Sequence, residues 1–233
     1  MSDLVTVVIG AYNAERHLGE AIDSVLAQSH RPLELIVVDD GSTDRTGEIA
    51  ASYGDRVRCF NQPNGGMAAA RNRAIPEARG EFLAFLDADD RFPPDKIRQQ
   101  LAVFAERPEL DVVYGHVTEF LSPELSEEER SLLRDPLHDV PWPTPNLMLV
   151  RRESFLRVGL FSTELKVGIG VDWHARSAEL GLRSEVPQIM ALERRLHADN
   201  NGIRQRASKP QYLHVLKAAL DRRRSAALEG DAE

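Results

Sequence analysis

Apolar residues gather into five short runs along the first half of the chain, at about 5–10, 34–38, 57–60, 82–86 and 111–114. Each is bounded by turn residues and is too short for a helix, so each predicts a buried strand. Between them the period changes. Leu18, Ile22, Val25 and Leu26 recur at i, i+4, i+7 and i+8, an amphipathic stripe that predicts a helix over about 14–28. A second helix follows Ser42-Thr43-Asp44 and contains Glu48 and Ile49. A third covers about 66–78, where Ala68, Ala69, Ala70 and Ala74 allow close packing on a sheet, and a fourth runs from near Pro94 to Glu106. Strands alternating with helices imply βαβ units and a mainly parallel sheet, an α/β fold.

The pattern changes after about 118. Residues 122–135 predict a charged surface helix, and 136–145 hold four prolines around Trp142, as expected of a loop or lid. A strand at 146–150, a short helix at 153–158, a helix at 172–181 closed by Gly181 and a last helix at about 208–227 complete the expectation. There are no repeats and no evident linker. The chain of 233 residues therefore predicts one domain over 1–233, with a first half to about 115, a second at about 116–205, and a terminal helix with its tail at about 206–233.

Chemistry gathers where the strands end. The fourth apolar run stops abruptly in Asp87-Ala88-Asp89-Asp90, three carboxylates within four positions. In a parallel sheet, residues just past the C-terminal end of a strand sit in the ligand crevice. Two Asp at i and i+2 on a turn can approach one hard divalent cation, which prefers oxygen ligands and keeps positions open for phosphate. The second run likewise ends in Asp39-Asp40-Gly41-Ser42-Thr43-Asp44, and the first exits through Ala11-Tyr12-Asn13. Three polar or aromatic exits define one rim of a sheet, and nucleotide binding is the natural hypothesis.

Taken in order, Ile9 to Asn13, Val38 to Asp44, Asn64-Gly65-Gly66 through Ala70-Arg71-Asn72, and Leu86 to Asp90 resemble the signature of family 2 glycosyltransferases. The likeness is close from 4 to about 115 and looser to about 202. It implies the GT-A fold, with Rossmann-like βαβ units and a smaller acceptor-side subregion. It also implies inverting transfer of a sugar from a nucleotide diphosphate, UDP favoured over dTDP, assisted by Mn2+ or Mg2+.

The same resemblance assigns residues. Ala11, Tyr12, Asn13, Asp40, Gly66, Arg71, Asp87 and Ala88 fall at the nucleotide, with Tyr12 placed to stack on the base and Asp40 to accept the uracil N3–H. Asp89 is the expected direct metal ligand, and Asp87 leans toward ribose or the metal's waters. His197, in the late Arg194-Arg195-Leu196-His197 segment, folds back over the diphosphate and metal. Asp172 matches the catalytic base, with Val171 standing where the family usually has Glu; the alternative reading of Asp172 is a cap of the helix at 172–181. Trp173, Asn146 and Trp142 are expected on the acceptor side, Trp173 as the floor of the pocket.

Composition narrows the partners. A formal charge of −8 argues against general nucleic-acid binding, although residues 194–224 carry a local balance of +7. Cys59 is the only cysteine, so no intrachain disulfide forms, and a packed core residue is expected. No apolar run approaches the roughly eighteen residues of a membrane span, and no leader pattern precedes Leu4. The expectation is a cytoplasmic protein, peripheral membrane contact being open. The acceptor stays open among lipid carrier, glycan, small molecule and peptide. Nucleotidyltransferase chemistry would need a basic glycine loop after the first strand. Haloacid-type phosphatase chemistry would need its acids on that first strand. The remaining alternative is a nucleotide-sugar-binding protein without transferase activity.

Overall fold

The computed structural model describes residues 3–141, 143–197, 200, 215 and 217–222. Its centre is a seven-stranded sheet. Strand β1 (Val5–Ala11) is almost wholly apolar and buried, and it lies between β2 (Leu33–Asp39) and β4 (Phe82–Asp87), parallel to both. Strand β3 (Arg58–Asn61) adds to β2 at one edge. On the other side of β4 come β8 (Leu149–Arg151), β5 (Val112–Val113) and β9 (Ser184–Glu185), β8 running antiparallel to both of its neighbours. The spatial order is β3-β2-β1-β4-β8-β5-β9. The boundary expected near 115 is thus not a break in the sheet, because β8 and β9 return into it from the later half.

Alternation along the strands divides the core in two. Val5, Val7 and Ile9 face Leu18, Ile22 and Val25 of α1 (Leu18–Leu26), Ala50 of α2 (Thr46–Ser52), and Ile97 and Phe104 of α4 (Lys96–Glu106). On the opposite face Val8, Ile36 and Phe85 meet Ala68, Ala70 and Ala74 of α3 (Met67–Ala74), Phe155 of α6 (Arg152–Val158) and Trp173 of α7 (Ile169–Glu179). Burying each Val, Ile, Leu or Phe contributes about 1.5–3 kcal/mol, so the two faces together fix the sheet between helical layers. The alanines of α3 admit close approach: a Cβ at Gly10 would stand 3.1 Å from Cβ of Ala70.

A second sheet of three strands joins β10 (Met190–Leu196), β6 (His116–Leu121) and β7 (Val140–Pro141). The acidic stretch forms α5 (Glu127–Leu132), shorter than expected: the Ser126–Glu129 capping box fixes its start, and the extended backbone of Leu133 ends it. The proline-rich segment is tied down rather than looped free. The buried Glu119 carboxylate accepts from Arg134, Arg194 and the backbone N–H of Leu137 at 2.7–3.0 Å. Cys59 is exposed, not packed, on the edge strand β3. The last expected helix lies largely outside the described residues; 217–222 are helical.

One charge sits against this architecture. Lys96 at the start of α4 is wholly buried, with its ammonium 4.2 Å from the Phe92 ring centre and 3.4 Å from the Met148 carbonyl oxygen. Burial lowers it from 10.5 to about 7. Because the folded value is the depressed one, the unfolded chain alone holds this proton between about pH 7 and 10.5. The cost to stability is therefore full below pH 7 and relieved as pH rises through that window. Lys96→Met keeps the linear shape without the charge. It should be more stable than wild type by a few kcal/mol at pH 6 in urea unfolding, with the margin shrinking by about 1.4 kcal/mol per pH unit above 7. A margin that does not change with pH would show that Lys96 does not titrate there.

Candidate active site at the end of strand β4

The parallel strands β1, β2 and β4 end side by side, Gly10 in register with both Val38 and Asp87. Asp87 is the last residue of β4, and Ala88, Asp89 and Asp90 make the turn that follows. Oxygens from Asp87, Asp89 and Asp90 all lie within 4.8 Å of one another. Each acid has a different set of neighbours. Arg71 of α3 donates to Asp87 Oδ1 at 2.7 Å, and Asn146 donates to Asp87 Oδ2 at 2.6 Å. Arg71 also donates to Asn146 Oδ1 at 2.6 Å, which closes a three-residue ring. The Arg71 Nε is buried and has no partner among the described residues.

Asp89 points the other way. Its Oδ2 lies 3.0 Å from His197 Nε2 and 3.5 Å from Asn200 Nδ2. Burial alone would raise this carboxyl, but the hydrogen bond and charge of His197 outweigh it and hold Asp89 below the ordinary value. Asp90 is the reverse case: burial, then the charges of Asp89 and Asp87, push it well above the ordinary value. It accepts from the backbone N–H of Arg195 at 2.9 Å, stapling β10 to the turn. The Arg195 side chain, 1% exposed, spans from the Asp89 carbonyl to Glu20 (2.6 Å) and Ser122 (3.2 Å).

The neighbouring exits complete the rim. The Ala11 carbonyl accepts from Asp40 N–H, and Tyr12 is 52% exposed beside it. Asn13 takes a left-handed conformation (φ 48°) and its Oδ1 accepts from Thr43 N–H, locking the first exit to the second. Asp40 is buried. Its Oδ1 accepts from Gln62 Nε2 (2.7 Å) and Gly65 N–H (2.9 Å), and its Oδ2 from Gly66 N–H (2.7 Å). Gly66, at φ 86°, caps α3, a conformation that suits glycine. Asp40 thus shapes the Asn64-Gly65-Gly66 turn beneath the rim, with one lone-pair position of Oδ2 not spoken for by these bonds.

Three expectations change. Helix α7 starts at Ile169, capped by Gly168, so Asp172 lies inside the first turn and is not its cap. Its side chain is nearly buried; Arg176 donates to Oδ2 at 2.9 Å, and Arg222 lies 4.0 Å from Oδ1. Trp173 cannot floor a pocket: it is 1% exposed, stacks on Phe155 at 5.2 Å and donates its indole N–H to the Gly159 carbonyl. Asn146, expected toward the acceptor, spends its amide on Asp87 and Arg71. Trp142 lies outside the described residues.

Sequence pattern missed several contributors. Gln62 supports Asp40, and Glu20 anchors Arg195 across 175 positions. His17, its ring 5.3 Å from that of His197, is held below the usual imidazole value by burial and the Arg195 charge. No local motif marks these residues; Glu20 sits on the polar side of α1 like any solvated acid.

Known proteins resemble this chain in sequence and fold. An uncharacterized glycosyltransferase of Rickettsia typhi is 34% identical over 182 residues, 71% of this chain and 55% of the relative. The uncharacterized glycosyltransferase EpsJ of Bacillus subtilis is 41% identical over 116 residues, 48% of this chain and 33% of that protein. The chain thus spans about half the length, or less, of these relatives. The structure of S. aureus TarS 1-349 in complex with UDP-GlcNAc superposes with a TM-score of 0.73 at 21% identity, covering 94% of this chain and 65% of that one. The fold is therefore GT-A, as the resemblance of the sequence motifs implied. Residues 6–162, more than half of the chain, match the family described as Glycosyl transferase family 2, and the chain belongs to that family.

Proposed function

We propose that this protein is an inverting glycosyltransferase that moves a sugar from a nucleotide diphosphate, UDP in the first instance, to an acceptor nucleophile. The observation that carries the reading is the convergence of Asp87, Asp89 and Asp90 at the end of β4, with Arg71 and His197 against them. The family membership and the curated relatives named as glycosyltransferases support it, as does the fold shared with a protein solved in complex with UDP-GlcNAc. Three carboxylates this close repel one another, and an oxygen-only donor set of this kind fits a hard divalent cation such as Mn2+ or Mg2+. Asp89 and Asp87 would hold it. When bound, such an ion supplies Lewis-acid stabilisation of the departing diphosphate.

The chain's own groups account for the rest. Tyr12, exposed on the rim, offers a face for the base, and Asp40 offers a hydrogen-bond acceptor to its N3–H. Arg71, with its buried Nε unpartnered, brings a fixed positive charge to the donor. His197 and Asn200 orient Asp89. Inversion requires the acceptor oxygen to attack the anomeric carbon on the face opposite the leaving group. As that bond forms, the acceptor proton passes to a base and the bond to the diphosphate oxygen breaks with its electron pair leaving on the diphosphate. Asp172 supplies the base. Arg176 on its Oδ2 fixes the carboxylate's rotation, which leaves Oδ1, with Arg222 4.0 Å away, as the atom to take the proton.

Two measurements test this. Asp89→Asn should weaken UDP affinity in manganese while leaving the smaller metal-free binding nearly unchanged, as read by titration calorimetry; equal affinities in manganese would remove Asp89 from this role. Asp172→Asn should lose sugar transfer by about 10²–10⁴-fold, the usual cost of removing a general base, while binding UDP with manganese like wild type. Transfer within a few-fold of wild type would place the base elsewhere. Donor binding without turnover, in wild type across donors and acceptors, would favour a binding protein over an enzyme.

A further inference from the structure

Helix α4 makes no contact with the acids at the end of β4 among the hydrogen bonds described above, yet its buried face reaches them through one short turn. Gln100 is 0% exposed. Its Nε2 lies 3.0 Å from the Val113 carbonyl oxygen, 2.9 Å from that of Tyr114 and 2.8 Å from that of Leu147. The opposite amide orientation would face an oxygen to three oxygens, so the donor placement follows from the surroundings. The Gln100 Oε1 is buried without a partner among the described residues, a cost tolerated for the bonds that the two Nε2 hydrogens share among three carbonyls. Lys96, one turn earlier, adds its longer contact to the next carbonyl, Met148.

The 3-10 turn Pro145–Leu147 so gripped touches both halves of the site. Asn146, at its middle, closes the ring with Asp87 and Arg71. Pro145, at its start, packs so tightly on Gly170 of α7 that any Cβ there would collide with the proline ring. Two residues beyond Gly170 stands Asp172. The turn is thus wedged between the donor-side acids and the helix that carries the base.

We propose that Gln100 is a positioning residue: by holding the Leu147 carbonyl it fixes the Pro145–Leu147 turn, and through that turn sets Asp87 and the first turn of α7 relative to each other. This rests on the donor-site reading above. The consequence is that Gln100 acts on nucleotide binding only through Asn146.

A double-mutant cycle with Gln100→Met and Asn146→Ala tests that claim on UDP affinity in manganese. Gln100→Met alone should weaken binding about ten-fold, and by less than two-fold when Asn146 is already Ala. Equal losses in both backgrounds would make Gln100 a core residue only and overturn the proposal. Hydrogen exchange gives a second measurement that needs no ligand. In Gln100→Met the backbone amides of Leu147, Met148 and Asp172 should exchange at least ten-fold faster, while those of β1 and β4 keep their wild-type protection. Unchanged exchange at the three amides, or a uniform loss everywhere, would also overturn it. If wild type binds no UDP, the donor-site reading fails by itself, and the exchange pattern still decides whether Gln100 sets the turn.

Discussion

Three carboxylates confined within 4.8 Å set the terms for everything around them. Unscreened, such a cluster would not keep three negative charges, and the protein answers each acid differently. Asp87 receives a buried guanidinium, Asp89 an imidazole, and Asp90 a backbone N–H together with a carboxyl value pushed upward. These countergroups come from α3, from the end of β10 and from the backbone of β10. Two of the three countergroups thus come from the second half of the chain, where β10 pairs with β6 and is bridged to Arg91 beside the acids through Glu193. Arg195 makes the connection explicit, since its one buried guanidinium meets the Asp89 carbonyl, Ser122 and Glu20, groups from three parts of the chain.

Much of this was legible in the sequence because it is local. The β1, β2 and β4 strands are continuous apolar runs, as strands buried on both faces must be, and their exits carry the polar residues that the rim requires. What was not legible depends on the third dimension. Cys59 and Phe60 read alike as apolar, but an edge strand leaves one face uncovered. The sequence pattern starts α7 three residues late, since Gly168-Ile169-Gly170 has the composition of a loop. In the structure the first glycine caps the helix, and the second is there to admit Pro145.

The same limit explains the acceptor-side residues. An exposed tryptophan after an aspartate and a buried one have identical local sequence. Only the aromatic cluster of Phe85, Phe155 and Phe161, drawn from β4, α6 and the segment beyond it, shows that Trp173 is packing rather than pocket. Its burial nonetheless bears on function. Trp173 anchors α7 to the core on one side, and its neighbour Asp172 takes its orientation from that anchor and from Arg176.

The proposed base and the proposed donor site lie on separate segments and would have to be held at a fixed distance, because a misplacement of about 1 Å can cost about a hundred-fold in rate. Long loops cannot supply that rigidity; a short turn gripped from both sides can. The Pro145–Leu147 turn meets this requirement with a ring of hydrogen bonds on the side of Asp87 and bare steric contact on the side of Gly170. The two kinds of contact differ in direction. Hydrogen bonds fix the angle of Asp87 and Arg71, whereas packing of a proline ring on a glycine sets only a separation. Orientation of Asp172 must then come from α7 itself, which is where Arg176, one helical turn later, supplies it.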